Sequence, residues 1–278
     1  MAKLPILVMS ETEPGVTMRE EIGLQEALSL SPRGRIIAVV SSKGGVGTTT
    51  AATNVATNLA RGDRPVCLVD LVLRSGSVPS FLNVKPTFSI LDLVQSLRYP
   101  QPPALEEVLV RHVSGVRVLA EPVQDGREPR ITPADIDEVF DRLAQFFDFV
   151  VIDTPKDFDD MQLLVLDRAE VILFVTEMDV PSLQSARRAF GHFHRMGVDT
   201  RKIRVLLNRY VEMEIMDLKA IEKVLGKEVF WTLPNNYPVV VSAVNRGLPI
   251  QVCDGGSDIA ASYDGLLQAL LRDLQLPV

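Results

Sequence analysis

Residues 36–61 constrain this chain more than any other stretch. An apolar run, Ile36 to Val40, meets the turn Ser41, Ser42, Lys43, Gly44, Gly45, Val46, Gly47, Thr48, Thr49, Thr50, which opens at once onto Ala, Thr and Asn residues at helical apolar spacing. A buried strand that feeds a helix directly is the first half of a parallel crossover, because the helix must cover the sheet while carrying the chain back. Gly44, Gly45 and Gly47 let the backbone turn so that several N–H groups converge, and the positive end of the helix faces the same point. The pattern predicts a loop that cradles phosphate. A lysine ordinarily precedes the hydroxyl residue of such a loop; here Thr48 stands in that place, and Lys43 puts a charge at the loop's start.

Strand-sized apolar runs recur at Val66 to Val69, Val116 to Leu119, Phe149 to Ile152, Val171 to Val175 and Arg204 to Leu207. Helical patterns separate them: Thr49 to Arg61, Ser89 to Arg98, Pro133 to Phe146, Pro181 to Met196, Asp217 to Leu225, Val239 to Arg246 and Ser257 to Leu274. This alternation predicts an α/β fold, a doubly wound, mostly parallel sheet flanked by helices, with its ligand at the carboxyl ends of the strands. Residues 34–278 are expected to form one nucleotide-binding domain. Residues 1–33 read as an N-terminal arm, too short for an independent domain of ordinary size. Tyr99 to Ala104, with Pro100, Pro102 and Pro103, reads as a rigid surface loop.

Bulk properties narrow the function. Of 278 residues 46% are hydrophobic, enough for a full core, and the net charge of −7 gives no global attraction to nucleic acid or anionic membrane. No apolar run approaches the roughly 20 residues that span a bilayer, and no signal-peptide pattern opens the chain, so a cytoplasmic protein is expected. Cys67 lies in a strand-like run and reads as core; two cysteines are too few for an iron–sulfur cluster, which takes about four thiolates.

Within the cradle, Thr49 is placed to be the hydroxyl ligand of Mg²⁺, and Asp153, ending the run Phe149 to Ile152, to be the carboxylate behind the metal. These residues resemble the deviant P-loop family of ParA, MinD and related ATPases, whose loop reads KGG-x-GK followed by Thr or Ser. The resemblance covers residues 34 to about 274. It implies that Lys43 reaches across a sandwich dimer to the partner's phosphates, that Asp70 is the first of the family's two aspartates, and that Asn208 recognises adenine, with Pro234 and Asn235 in the loop near the base. The family's second aspartate, which positions the attacking water, falls on Val72. The chain is most similar to the TadZ/CpaE branch, which works in Tad-type pilus assembly, in lacking the second lysine, in the stretch Asp70 to Val78, and at Leu233 to Pro238.

The resemblance implies a site for ATP or ADP with Mg²⁺, formed by Lys43, Gly44, Gly45, Val46, Gly47, Thr48, Thr49, Thr50, Asn208, Pro234 and Asn235. It implies a homodimer across the nucleotide, and partners among the protein components of a pilus or secretion machine, with recruitment to a cell pole or inner-membrane assembly. With Thr48 and Val72 in place of lysine and aspartate, hydrolysis is expected to be very slow or absent. Two alternatives stand beside this reading: an active ParA-type ATPase positioning DNA or protein cargo, and a MinD-like ATPase at the membrane. The net charge and Val72 disfavour the first. The C-terminal stripe Leu267, Leu270, Leu271, Leu274 could grip a membrane, but Arg272 is its only base against Asp258, Asp264 and Asp273, so core packing is expected.

Three further groups complete the reading. Arg187, Arg188, His192, His194 and Arg195 share one predicted helix, as a solvated face or a surface for DNA or an acidic partner. His112 stands alone, without a nucleophile to serve. Asp157, Asp159 and Asp160 fall where the family carries a nucleotide-responsive loop, and a solvated acidic loop is the other reading.

Overall fold

In a computed structural model of the chain, residues 34–73, 76–98, 105–121, 131–212 and 217–277 are described. The N-terminal arm and the proline-rich loop at 99–104 lie outside them. The first strand, β1 (Arg35–Val40), contributes Ile36, Ala38 and Val40 to one hydrophobic core and Ile37 and Val39 to another. A strand buried on both faces must be apolar at every position, which is why it reads as an unbroken run. The same holds for β2 (Val66–Asp70), β5 (Phe149–Asp153), most of β6 (Val171–Glu177) and the Val205–Leu207 stretch of β7 (Ile203–Tyr210).

Together with β3 (Val110–Arg111), β4 (Arg117–Leu119) and β8 (Val229–Pro234), these form an eight-stranded sheet in the order β3-β4-β2-β5-β1-β6-β7-β8. Every pairing is parallel except the short β3–β4 contact at one edge. The chain winds from β1 towards β2 on one side, then crosses β1 in passing from β5 to β6. That reversal opens a crevice at the carboxyl end of β1, where the glycine-rich turn lies.

Helices α1 (Thr48–Ala60), α2 (Val78–Phe81), α9 (Tyr237–Arg246), α10 (Ile250–Asp254) and α11 (Asp258–Asp273) put buried residues into one core. Helices α3 (Ile90–Leu97), α4 (Leu105–Val108), α5 (Pro133–Leu143), α6 (Asp160–Arg168), α7 (Val180–Arg195) and α8 (Leu218–Leu225) serve the other. Their starts follow sequence chemistry. Ser89 with Asp92 and Thr132 with Asp135 form reciprocal capping boxes. Buried Asn54 of α1 donates from Nδ2 to the Thr50 carbonyl at 2.8 Å and accepts from Ile250 N at 2.9 Å, tying α1 to α10.

The structure adds elements to those expected. β8 is an edge strand with partly exposed residues and register irregularities, ending at Pro234; its run Val229, Phe230, Trp231, Thr232, Leu233 carries strand-forming residues that sequence reading missed. The acidic stretch expected as a loop is helical from Asp160: Asp159 accepts from Gln162 N at 2.9 Å as the cap of α6, and Val165 and Leu166 are buried. The leucine stripe of α11 packs as expected, with Leu270, Leu271 and Leu274 buried and Leu267 against the same core. Among the described residues no helix is long and apolar enough to cross a membrane.

Leu270→Ala should lower unfolding free energy by about 2–5 kcal/mol in urea titration, whereas Gln268→Ala on the exposed face of the same helix should change it by less than about 0.5 kcal/mol.

Candidate nucleotide site

The loop between β1 and α1 depends on two left-handed glycines, Gly45 at φ 80° and Gly47 at φ 97°, the second preceding the first residue of α1. A Cβ at Gly47 would also lie 2.4 Å from Asn208 Nδ2, which donates to the Val46 carbonyl at 2.7 Å. Backbone strain and close approach therefore both demand glycine there. Thr48, in the place of the missing lysine, binds the loop to itself: its Oγ1 donates to Ser41 Oγ at 2.9 Å, and Ser41 Oγ donates to the Lys43 carbonyl at 3.2 Å.

Below the loop, β2 and β5 end at the same rung in Asp70 and Asp153, both fully buried. Asp153 Oδ2 accepts from Thr49 Oγ1 at 2.6 Å, while Asp153 Oδ1 is buried with no hydrogen-bond partner among the described residues. Burial pushes the Asp153 carboxyl up to about 8 against the pull of the Thr49 bond, and the neighbouring Asp70 adds to the rise. A hydroxyl beside an unsatisfied buried carboxylate oxygen at a helix start is the oxygen-donor chemistry a hard divalent cation takes, so Thr49 and Asp153 fit Mg²⁺.

Asp70 answers its burial differently. Its oxygens accept from Val72 N at 3.2 Å and Val78 N at 3.1 Å, and burial still raises the carboxyl to about 6. A Cβ at Gly76 would meet Asp70 Oδ2 at 2.4 Å, and Gly76 N donates to Glu121 Oε2 at 2.7 Å. The residual acid expected at Asp70 is thus a loop anchor, with both oxygens engaged by backbone. Glu121, which shares this duty, carries no sequence signal of its own.

Lys43, expected to face a partner subunit, is held within its own chain. Its Nζ donates to Ser182 Oγ at 2.9 Å and lies 3.6 Å from Asp179 Oδ2 and 3.9 Å from Glu177 Oε2. Asp179 caps α7; burial opposes its charge, but the Ser182 hydrogen bonds and the Lys43 ammonium outweigh it and hold the carboxyl below its usual range. Glu177 also pairs with Arg209, whose Nη2 donates to the Gly45 carbonyl at 3.3 Å. Sequence reading missed Glu177, Asp179, Ser182 and Arg209. The Asp-Val-Pro-Ser start of α7 is a recognisable cap, and Arg209 directly follows Asn208, but nothing local ties either to the loop.

Beside the loop lies a cleft of about 140 Å³ lined by Gly47, Thr50, Asn208, Pro234, Asn235 and Tyr237, among others. The residues expected near the base therefore converge with the phosphate loop. Arg187, Arg188 and Arg195 line a separate groove on α7. His112 is buried, with Nδ1 2.8 Å from Ser114 Oγ and its pKa lowered by that burial.

A model of the ParA family, described as NUBPL iron-transfer P-loop NTPase, matches residues 33–209. The septum site-determining protein MinD of Thermotoga maritima is 27% identical over 245 residues, 85% of this chain and 88% of that protein. Among solved structures, a ParA family ATPase from Chlorobium tepidum superposes with a TM-score of 0.78 at 21% identity, covering 84% of this chain and 98% of that one. MinD from Pyrococcus horikoshii, complexed with Mg-ADP, superposes with a TM-score of 0.72 at 23% identity, covering 88% and 100%.

Asp70→Asn should destabilise the fold by about 1–3 kcal/mol in urea titration, because an amide NH₂ would be set against a backbone N–H in a buried site.

Proposed function

This chain belongs to the ParA family of P-loop NTPases, and on that premise we propose that it is an ATP-binding, ATP-dependently dimerising scaffold or positioning protein with very slow or absent hydrolysis. The observation that carries the reading is the Thr49–Asp153 pair with its unsatisfied oxygen, present beside a loop whose lysine position is a threonine tied to Ser41. The apparatus for holding phosphate and metal is intact where the apparatus for bond cleavage is reduced.

Gly44, Gly45 and Gly47 would bring backbone N–H groups to the phosphates, Thr49 and Asp153 would hold Mg²⁺, and the cleft of Asn208, Pro234 and Asn235 would take the base. Mg²⁺, when bound, neutralises charge on the β- and γ-phosphate oxygens. The lost lysine contact is worth roughly 1.5–3 kcal/mol, a 10- to 100-fold weakening that the remaining contacts survive. A missing base or water-orienting carboxylate removes on the order of 10² to 10⁴ in rate, and Val72 offers neither. Lys43 then bridges two copies by exchanging Ser182, Asp179 and Glu177 for the partner's phosphates, so that nucleotide stabilises the dimer by mass action.

We place the protein with a Tad-like pilus or secretion machine on the strength of Thr48, the stretch Asp70 to Val78 and the segment Leu233 to Pro238. Membrane attachment through the leucine stripe of α11 is disfavoured, since Leu270, Leu271 and Leu274 are buried and Leu267 packs against the same core. An iron-transfer role is disfavoured by Cys67, a thiol fully buried in β2 whose pKa burial raises far above its usual range, and by Cys253, which lies apart on α10.

In sedimentation velocity, ATP with Mg²⁺ should shift wild type to dimer and leave Lys43→Ala monomeric; an equal response in both would overturn the trans role of Lys43. Wild type should hydrolyse ATP at the limit of detection. Thr48→Lys with Val72→Asp should raise turnover by about 10²-fold or more in a phosphate-release assay.

A further inference from the structure

A third cation lies at the phosphate loop, and it is one the loop motif does not contain. Lys156 stands three residues past Asp153, between β5 and α6. A Cβ added at Gly44 would lie 3.9 Å from Lys156 Nζ and 4.0 Å from its Cδ, so the side chain runs along the loop's second residue. The backbone leading into it is pinned. Thr154 donates from both N and Oγ1 to the Val39 carbonyl, at 3.2 and 3.0 Å, and the Pro155 carbonyl accepts from Gln162 Nε2 at 3.1 Å.

The two other cations at the loop are already paired with carboxylates. Lys43 faces Asp179 and Glu177, and Arg209 faces Glu177. Lys156 is exposed and has no carboxylate within ion-pair distance among the described residues. An unpaired ammonium beside converging N–H groups favours an anion, and its four-carbon stem can follow a phosphate oxygen without moving the backbone.

We propose that Lys156 is a nucleotide-binding residue which supplies, from the β5–α6 segment, the in-chain phosphate contact that position 48 lacks. This rests on the reading of the loop as a nucleotide site. It makes the affinity of a single protomer depend on a residue outside the loop motif. It also separates two duties: Lys156 holds the nucleotide of its own chain, and Lys43 that of the partner.

The test is equilibrium binding of a fluorescent ATP analogue to wild type, Lys156→Gln and Lys219→Gln, at low salt and at a protein concentration where wild type is monomeric. Lys219 is an exposed lysine of α8 and controls for net charge. Matched thermal melts establish that the variants are folded. Lys156→Gln should weaken binding by about 10-fold or more while Lys219→Gln stays within about twofold of wild type. Lys156→Gln within about twofold of wild type, or an equal loss in both variants, would overturn the assignment. Failure of wild type itself to bind would instead overturn the nucleotide reading, a result visible before any variant is measured.

Discussion

Two buried carboxylates at one rung of the sheet set the terms for the rest of the site. Asp70 and Asp153 end adjacent strands with no solvent access, where each charge is costly and the two oppose one another. The chain satisfies them unequally. Asp70 takes two backbone N–H groups from the segment after β2, which fixes the path into α2. Asp153 takes one hydroxyl, from the first turn of α1, and keeps an oxygen with no partner. A carboxylate enclosed by backbone is a structural anchor; one left half-satisfied beside a helix start is the one we propose as a metal ligand. The same residue type, one strand apart, is therefore given two different sets of partners by what surrounds it.

The cations above the loop sit in exposed ion pairs that hold them weakly. Lys43 is 45% exposed at its side chain and Asp179 43%, and pairs this wet contribute no more than about 1 kcal/mol. Glu177 is more enclosed, at 16%, but serves both Lys43 and Arg209. Such contacts orient Lys43 without committing it. A phosphate, with more charge and several acceptor oxygens, can compete for an ammonium held this loosely. The arrangement is consistent with a lysine that rests in its own chain and leaves when a better anion arrives.

The parts of this structure legible in the sequence are those whose physics is local. β1, β2, β5, most of β6 and the middle of β7 are buried on both faces and so appear as apolar runs; the conformations at Gly45 and Gly47 need glycine; Ser89, Thr132 and Asp217 announce the helices they cap. β8 was legible in its run from Val229 to Leu233 and was passed over, while α6 is hidden because its acidic start resembles a loop until Asp159 is seen to cap it. Glu177, Arg209 and Lys156 were hidden for a different reason. Each meets the loop across more than 100 residues of chain, through the order of strands in the sheet, and no spacing rule reports that closure. The motif marks the candidate loop, and the sheet topology brings these charges to it.

That division bears on how a phosphate loop can lose a lysine and remain a site. The shape of the cradle comes from glycine backbone angles, from Asn208 holding Val46, and from the Thr48–Ser41–Lys43 chain of hydrogen bonds, none of which uses the missing charge. Thr48 strengthens that shape, since a lysine cannot make the short bond that closes the loop's two ends. What the substitution removes is a charge, and charge is the one property that other elements can supply at a distance of several ångströms. Catalysis is less forgiving. A water must be oriented and a proton accepted at a fixed point, and a valine at position 72 can do neither. On the proposed reading, binding and cleavage depend on different kinds of contact, the first at the β1–α1 loop and the second after β2, so a chain can keep the first while losing the second without any change of fold.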